Sequence, residues 1–283
     1  MNNMTINEHD FESWDGTRIF YRAWHPGSLQ KRAVILFHGG HEHSGRFTPV
    51  IEALDLPGVS FFGWDARGHG RSPGKRGYAA SFQNLVSDAN AFIEAVSAEF
   101  GIEPEDMAIM GHSEGSVIAS ALVLDYQPPI RGMVLGSPAL RIKLYLPFAY
   151  SLLKVWARAR PEGFVSSFVV SSMLTHDQEE RYLRNHDPLI ARPIGVKVLL
   201  GLLDEGTRLV QLAPSIRVPT LILSAGSDRV VSLSTQQKFF SRLGSSEKEQ
   251  IVYPGFYHEV FHEKERRLPI EKAREFLRGL YKN

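Results

Sequence analysis

Cysteine is absent from the 283 residues of this chain. That excludes a disulfide scaffold, a thiolate zinc site, an iron–sulfur centre and a cysteine nucleophile together. An excess of one charge is lacking too: 32 Lys and Arg stand against 31 Asp and Glu, a net charge of +1, with no basic block. A nucleic-acid binder would carry a basic excess, so no nucleic-acid partner is expected. No apolar run reaches the ~18 residues that would span a bilayer. The opening stretch MNNMTINEHD has no apolar core of a secretory leader, and a cytoplasmic location is expected. Internal repeats and low-complexity tracts are missing as well. What remains is ordinary for a globular chain, with 43% hydrophobic and 22% charged residues, which excludes a disordered one.

Residues 11–24 read as a β-hairpin turning at Asp15-Gly16. Short apolar runs follow at 33–37, 59–64, 107–110, 132–135, 220–224 and 250–253. Each is nearly continuous in apolar residues, as strands covered on both faces of a parallel sheet are. Between them, Phe82, Leu85, Val86, Ala89, Phe92, Ile93, Val96 and Phe100 make one helical stripe, with Ser81 as its N-cap. Residues 114–126 and 270–281 also read as helices. Alternating strands and helices predict an α/β fold with right-handed crossovers and helices on both faces.

One stretch, 139–214, breaks the alternation. It holds two apolar clusters, at 144–156 and 164–174, and no convincing buried strand. A structureless loop of that length is improbable, so a helical insertion packed over the sheet is expected. The chain then divides into a first core part at 1–138, a cap at 139–214 and a second core part at 215–283. An inner cap face of Leu, Phe, Val and Trp, with Phe148, Trp156 and Phe168 as candidates, would form an apolar substrate channel. Apolar side chains at its rim would make transient contact with a membrane or micelle surface.

Gly111-His112-Ser113-Glu114-Gly115 matches G-x-S-x-G between a strand and a helix, the setting that holds a serine hydroxyl exposed on a strained elbow. Glycines two residues to either side let the backbone turn that tightly. A serine nucleophile needs a base and an orienting acid, which in such a fold follow in the order Ser, acid, His on loops after later strands. Asp228, in the loop after TLILS, and His258, in the loop after QIVY, meet that order. Asp65 and Asp204 lie elsewhere, after an earlier strand and inside the insertion. The loop His38-Gly39-Gly40 can aim the backbone N–H of Gly40 at a developing oxyanion, with the N–H of Glu114 as the second donor.

A competing pattern is H-E-x-x-H at 258–262. Zinc would need both histidines on one helical face and a third ligand, whereas Pro254-Gly255 just upstream predicts a loop. No metal is expected. The loop at 65–72 is Gly-rich but lacks the G-x-x-x-x-G-K-[ST] of a phosphate cradle.

Four stretches carry a resemblance: HGGHEHSGRF at 38–47, DARGHGRSPGKRGY at 65–78, GHSEG at 111–115, and GSDRVV at 226–231 with YHEVFHE at 257–263. Together they resemble the α/β-hydrolase superfamily, and within it the monoacylglycerol lipase and lysophospholipase group, over nearly the whole chain. The resemblance implies a mostly parallel eight-stranded sheet with helices on both faces and a helical cap. It also implies hydrolysis of monoacyl lipids or simple carboxylic esters without a cofactor, with Ser113, Asp228 and His258 as the triad. That group usually has glycine where His41 stands, and methionine followed by two glycines where Glu114-Gly115-Ser116 stand. These departures flank the oxyanion site and bear on substrate preference. The same triad would also serve a thioesterase or an amidase-like peptidase, and the fold also serves as a ligand receptor.

Overall fold

The computed structural model describes residues 4–282. The hairpin is there: β1 (Met4–Glu12) and β2 (Arg18–Pro26) pair antiparallel around a turn in which Gly16 takes a φ of 80°. Most of the polar opening stretch therefore lies in a strand, and residues 1–3 fall outside the described residues. The apolar runs become β3 (Arg32–Phe37), β4 (Val59–Trp64), β5 (Met107–His112) and β6 (Met133–Gly136). Two short strands, β7 (Phe164–Ser166) and β8 (Pro193–Gly195), come next, followed by β9 (Thr220–Ala225) and β10 (Lys248–Tyr253). Eight strands form one sheet in the order β1-β2-β4-β3-β5-β6-β9-β10. Within this sheet only β1–β2 and β2–β4 are antiparallel; β7 and β8 pair antiparallel apart from it.

Side-chain alternation along the strands sorts the core into two layers. Ile35, Phe37, Phe62, Trp64 and Ile109 face one side, covered by α2 (Phe82–Phe100) and α3 (Glu114–Tyr126). Val34, Leu36, Phe61, Met110 and Leu223 face the other, covered by α1 (Thr48–Leu54) and α8 (Arg267–Leu280). Ser81 caps α2 in a capping box with Asn84, as its residue type predicts. The edge strand β10 is only half-buried, because one of its sides has no neighbouring strand.

Between β6 and β9 the chain forms α4 (Ala149–Ala159), α5 (Gln178–His186) and α6 (Val196–Leu212), and α7 (Leu233–Arg242) follows β9. Helix α6 buries Val198, Leu202 and Leu209 in the same core layer as α2 and α3. Two expectations need correction here. Residues 164–174, expected to be helical, form β7, an extended connection and a single 3₁₀ turn at Ser171–Met173. Three-residue β7 pairs with β8 and is too short to show an alternation in sequence. Helix α4 has no buried residue, and Phe148 and Leu146 are 81% and 72% exposed. Its apolar stripe faces outward rather than inward. No helix among the described residues is long and apolar enough to cross a membrane.

Candidate active site

Strand β5 ends at His112, the chain turns sharply at Ser113 with φ 51° and ψ −113°, and α3 starts at Glu114. A positive φ on a non-glycine residue is a strained conformation that the surroundings must enforce. They do so by contact. A Cβ on Gly111 would lie 2.7 Å from the Gly115 carbonyl oxygen, and one on Gly115 would lie 2.1 Å from that of Phe37. Only glycines at both positions let elbow, helix and β3 come this close. The Ser113 hydroxyl makes no capping bond to α3; it lies 2.8 Å from His258 Nε2 instead.

His258 sits in the loop after β10, and its Nδ1 is 2.8 Å from Asp228 Oδ2. Asp228, in the loop after β9, uses its other oxygen to accept the N–H groups of Val230 and Val231 at 2.7 and 2.9 Å. The aspartate is thus both a turn residue and the partner of the histidine. A carboxylate only accepts, so Nδ1 carries the proton and Nε2 is left to accept from the serine hydroxyl. Burial alone would push the Asp228 carboxyl up, but the charge and hydrogen bond of His258 and the two backbone N–H groups hold it below the ordinary value. Burial likewise works against a charged His258, yet the Asp228 charge carries the imidazole above its ordinary value. An imidazolium formed at this position is therefore stabilised.

Gly40 and Glu114 line the same cavity as Ser113 and His258. The Glu114 side chain is buried as well, and its Oε1 has no hydrogen-bond partner. Its Oε2 lies where a Cβ on Gly40 would approach to 2.6 Å. Burial pushes this carboxyl up to about 7. Where the resemblance expects glycine at 41, the backbone does take a left-handed φ of 72°, occupied here by histidine. Burial, then the neighbouring His69 and Arg184, push His41 down to about 4, so its ring is neutral.

Apolar wall comes from Ile142, Val165, Phe168, Val169, Leu199 and Leu202. Of the three channel candidates, only Phe168 is there. Phe148 and Trp156, on the outward stripe, are not. Sequence reasoning also missed the polar wall behind His258. Arg46 reaches Glu180 of α5 at 3.0 Å and Glu259 at 3.4 Å, and Arg184 of α5 stands 3.5 Å from Glu259. These pairs tie α5 to the loop that carries the histidine. Their partners are up to 213 positions apart, so no local pattern announces them.

The H-E-x-x-H segment is not helical at His258, and only Val260–His262 make a 3₁₀ turn. Glu259 is taken up by the arginines, and His262 Nδ1 lies 3.6 Å from Glu180. No group of three or more His, Asp or Glu side chains among the described residues is placed to hold a metal ion. Asp65 accepts the N–H of Ser44 at 2.7 Å, and Asp204 accepts the Tyr150 hydroxyl, both away from the triad. In the 65–72 loop, Arg67 is bound to Asp88 at 2.6 Å and Asp15 at 2.8 Å, which makes the loop a structural clasp.

The family described as serine aminopeptidase, S33 matches residues 29–265. YnbC, an uncharacterized protein of Escherichia coli (strain K12), is 40% identical over all of this chain, which spans 48% of that longer protein. A monoacylglycerol lipase of Mycolicibacterium smegmatis is 29% identical, over 96% of this chain and 97% of its own. Among solved structures, the monoacylglycerol lipase of Paleococcus ferrophilus superposes with a TM-score of 0.82 at 26% identity, covering 98% of this chain and all of that one.

Proposed function

The chain belongs to the serine aminopeptidase S33 family of α/β-hydrolases, and from that premise we propose that it hydrolyses carboxylic esters of monoacyl lipids through an acyl-enzyme on Ser113. The observation that carries the reading is the continuous line from Asp228 Oδ2 to His258 to Ser113 Oγ, with 2.8 Å at each step and Ser113 lining a largely apolar cavity. In this reading His258 Nε2 takes the hydroxyl proton as Ser113 Oγ attacks the ester carbonyl. The oxygen that becomes negative is received by the backbone N–H groups of Gly40 and Glu114. Asp228 steadies the imidazolium, which then hands its proton to the departing alcohol. Water, deprotonated by the same nitrogen, releases the acid from Ser113 and restores the enzyme. No cofactor enters this cycle.

The apolar wall favours an acyl chain, at ~0.8 kcal/mol per buried methylene. Residues 139–214 would act as the cap that encloses it, with the outward stripe of α4 as the part that meets a micelle or membrane surface. Monoacylglycerol hydrolysis by the Mycolicibacterium relative supports this substrate class. A fluorophosphonate should label Ser113 and no other residue. Ser113→Ala should lose on the order of 10⁴–10⁶ in kcat on p-nitrophenyl and monoacylglycerol esters while folding normally. Retained turnover in Ser113→Ala would end the reading, and turnover confined to aminoacyl p-nitroanilides would replace the ester by an amide.

A further inference from the structure

A second cavity, of about 410 Å³, adjoins the first and shares His41, Ser167, Val169 and Arg184 with it. Its chemistry is unlike that of its neighbour. Arg181, Arg184 and Arg192 line it together with Ser172 and with Ser171, whose hydroxyl donates to Asn185 Oδ1 at 2.5 Å, and no carboxylate does. Arg181 and Arg184 are three residues apart in α5 and so share one face of that helix. Arg192 is brought back to them by the turn after α5, where its Nη2 reaches the Asn185 carbonyl at 3.4 Å.

Arg181 and Arg192 have no ion pair among the described residues, and the carboxylates around Arg184 are Glu259 and Glu42. The Arg184 side chain is 10% exposed, its ion pair to Glu259 is 3.5 Å long, and its Nε has no hydrogen-bond partner. Arg181 spends its Nε on the Thr175 carbonyl at 2.7 Å, which leaves its terminal nitrogens for another acceptor. Guanidinium groups converging on a recess suit a multivalent oxyanion, because each planar fork matches two phosphate oxygens. Position adds the rest. An ester at Ser113 has two arms; the apolar wall suits the acyl arm, and the recess beyond His41 and Arg184 is then left for the alcohol arm.

We infer that the Arg181–Arg184–Arg192 recess binds a phosphate group on the alcohol portion of the substrate, so that the preferred ester is a monoacyl phospholipid rather than a neutral monoacylglycerol. This rests on the ester-hydrolase reading above and selects within it. His41 belongs to the site as its neutral wall: a glycine there would leave the two cavities without the imidazole that both share.

The test compares kcat/KM for 1-lauroyl-glycerol 3-phosphate and 1-lauroylglycerol, with p-nitrophenyl butyrate as a reference substrate that has no headgroup. The wild-type protein should prefer the phosphate-bearing ester by roughly tenfold or more, as expected for charge-assisted bonds to a dianion. Arg192→Gln and Arg181→Gln should each remove most of that preference and leave p-nitrophenyl butyrate within twofold. Arg192→Lys, which keeps the charge but loses the fork, should fall between. Equal rates on the two lauroyl esters, or losses that run parallel on all three substrates, would overturn the assignment.

Binding of glycerol 3-phosphate and of inorganic phosphate to Ser113→Ala protein, followed by calorimetry, separates this result from the parent reading. If no ester is turned over, the hydrolase reading fails, and the recess still stands if glycerol 3-phosphate binding is lost in Arg192→Gln. Inorganic phosphate binding more tightly than glycerol 3-phosphate would assign the recess to the free ion and overturn the headgroup.

Discussion

Glutamine in place of Glu114 keeps the shape of the side chain and removes its proton equilibrium. The carboxyl lies beside the nucleophile elbow, buried and with one oxygen unpartnered, and burial alone carries it from the ordinary 4.5 to about 7. Below pH 4.5 both folded and unfolded chains hold this proton, and the two proteins should be equally stable. Between pH 4.5 and 7 the unfolded chain has released the proton and the folded chain has not, so wild-type stability falls as pH rises through that window. A displacement of this size corresponds to roughly 3 kcal/mol by proton linkage, lost in full above pH 7. Glu114→Gln should therefore gain on wild type progressively from pH 4.5 and level off about 3 kcal/mol more stable by pH 8. Urea unfolding of both proteins at half-unit pH steps measures the difference, in which every other titrating group cancels. A difference that stays constant from pH 4 to 8.5 would refute the reasoning. The ionised carboxylate would also stand near the oxyanion, so wild-type kcat should decline above pH 7 where that of Glu114→Gln does not.

Asp228→Asn should keep the hydrogen-bonded shape but leave the imidazolium without its counter-charge, at a loss on the order of 10⁴ in kcat with an unchanged circular dichroism spectrum. Gly115→Ala places a methyl group 2.1 Å from the Phe37 carbonyl and should fold poorly, whereas Gly279→Ala, with nothing within 4 Å, should leave Tm equal or higher. Phe168→Ala should lower kcat/KM more for long than for short acyl chains, because it lines the cavity. Phe148→Ala should leave soluble esters untouched and slow only micellar ones. Excess EDTA should not change the rate; inactivation that zinc reverses would restore the metal reading of residues 258–262.

Much of this molecule is legible without coordinates because its information is local. Five of the six apolar runs and the stripe from Phe82 to Phe100 report their own burial, and Ser81 announces the start of α2 by the oxygen it offers to the first turn. Ser113, Asp228 and His258 are found because each sits at the end of a strand, and a parallel sheet brings those ends to one edge whatever separates them in sequence. Chain order and strand context therefore sufficed to single out three residues that the structure brings within hydrogen-bond distance.

Other features depend on what comes to lie against what. The stripe of Leu152, Val155 and Trp156 shows that α4 has an apolar face, but periodicity says nothing about which way it points, and it points outward. Residues 164–174 are apolar enough for a helix; pairing of β7 with β8, nearly thirty residues away, made part of them strand. Glu114 is one more acidic residue at a helix start until Gly40 packs against it, and only enclosure raises its carboxyl. In sequence Arg181 and Arg184 are two of several charged residues in the helix QEERYLRNH. They become a recess because Arg192, Ser167 and His41, the last of these from the far side of the chain, close around them. Backbone preference and hydrophobic period act within a few residues. Burial, charge compensation and the shape of a cavity are set by neighbours across hundreds, and those the tertiary structure alone decided.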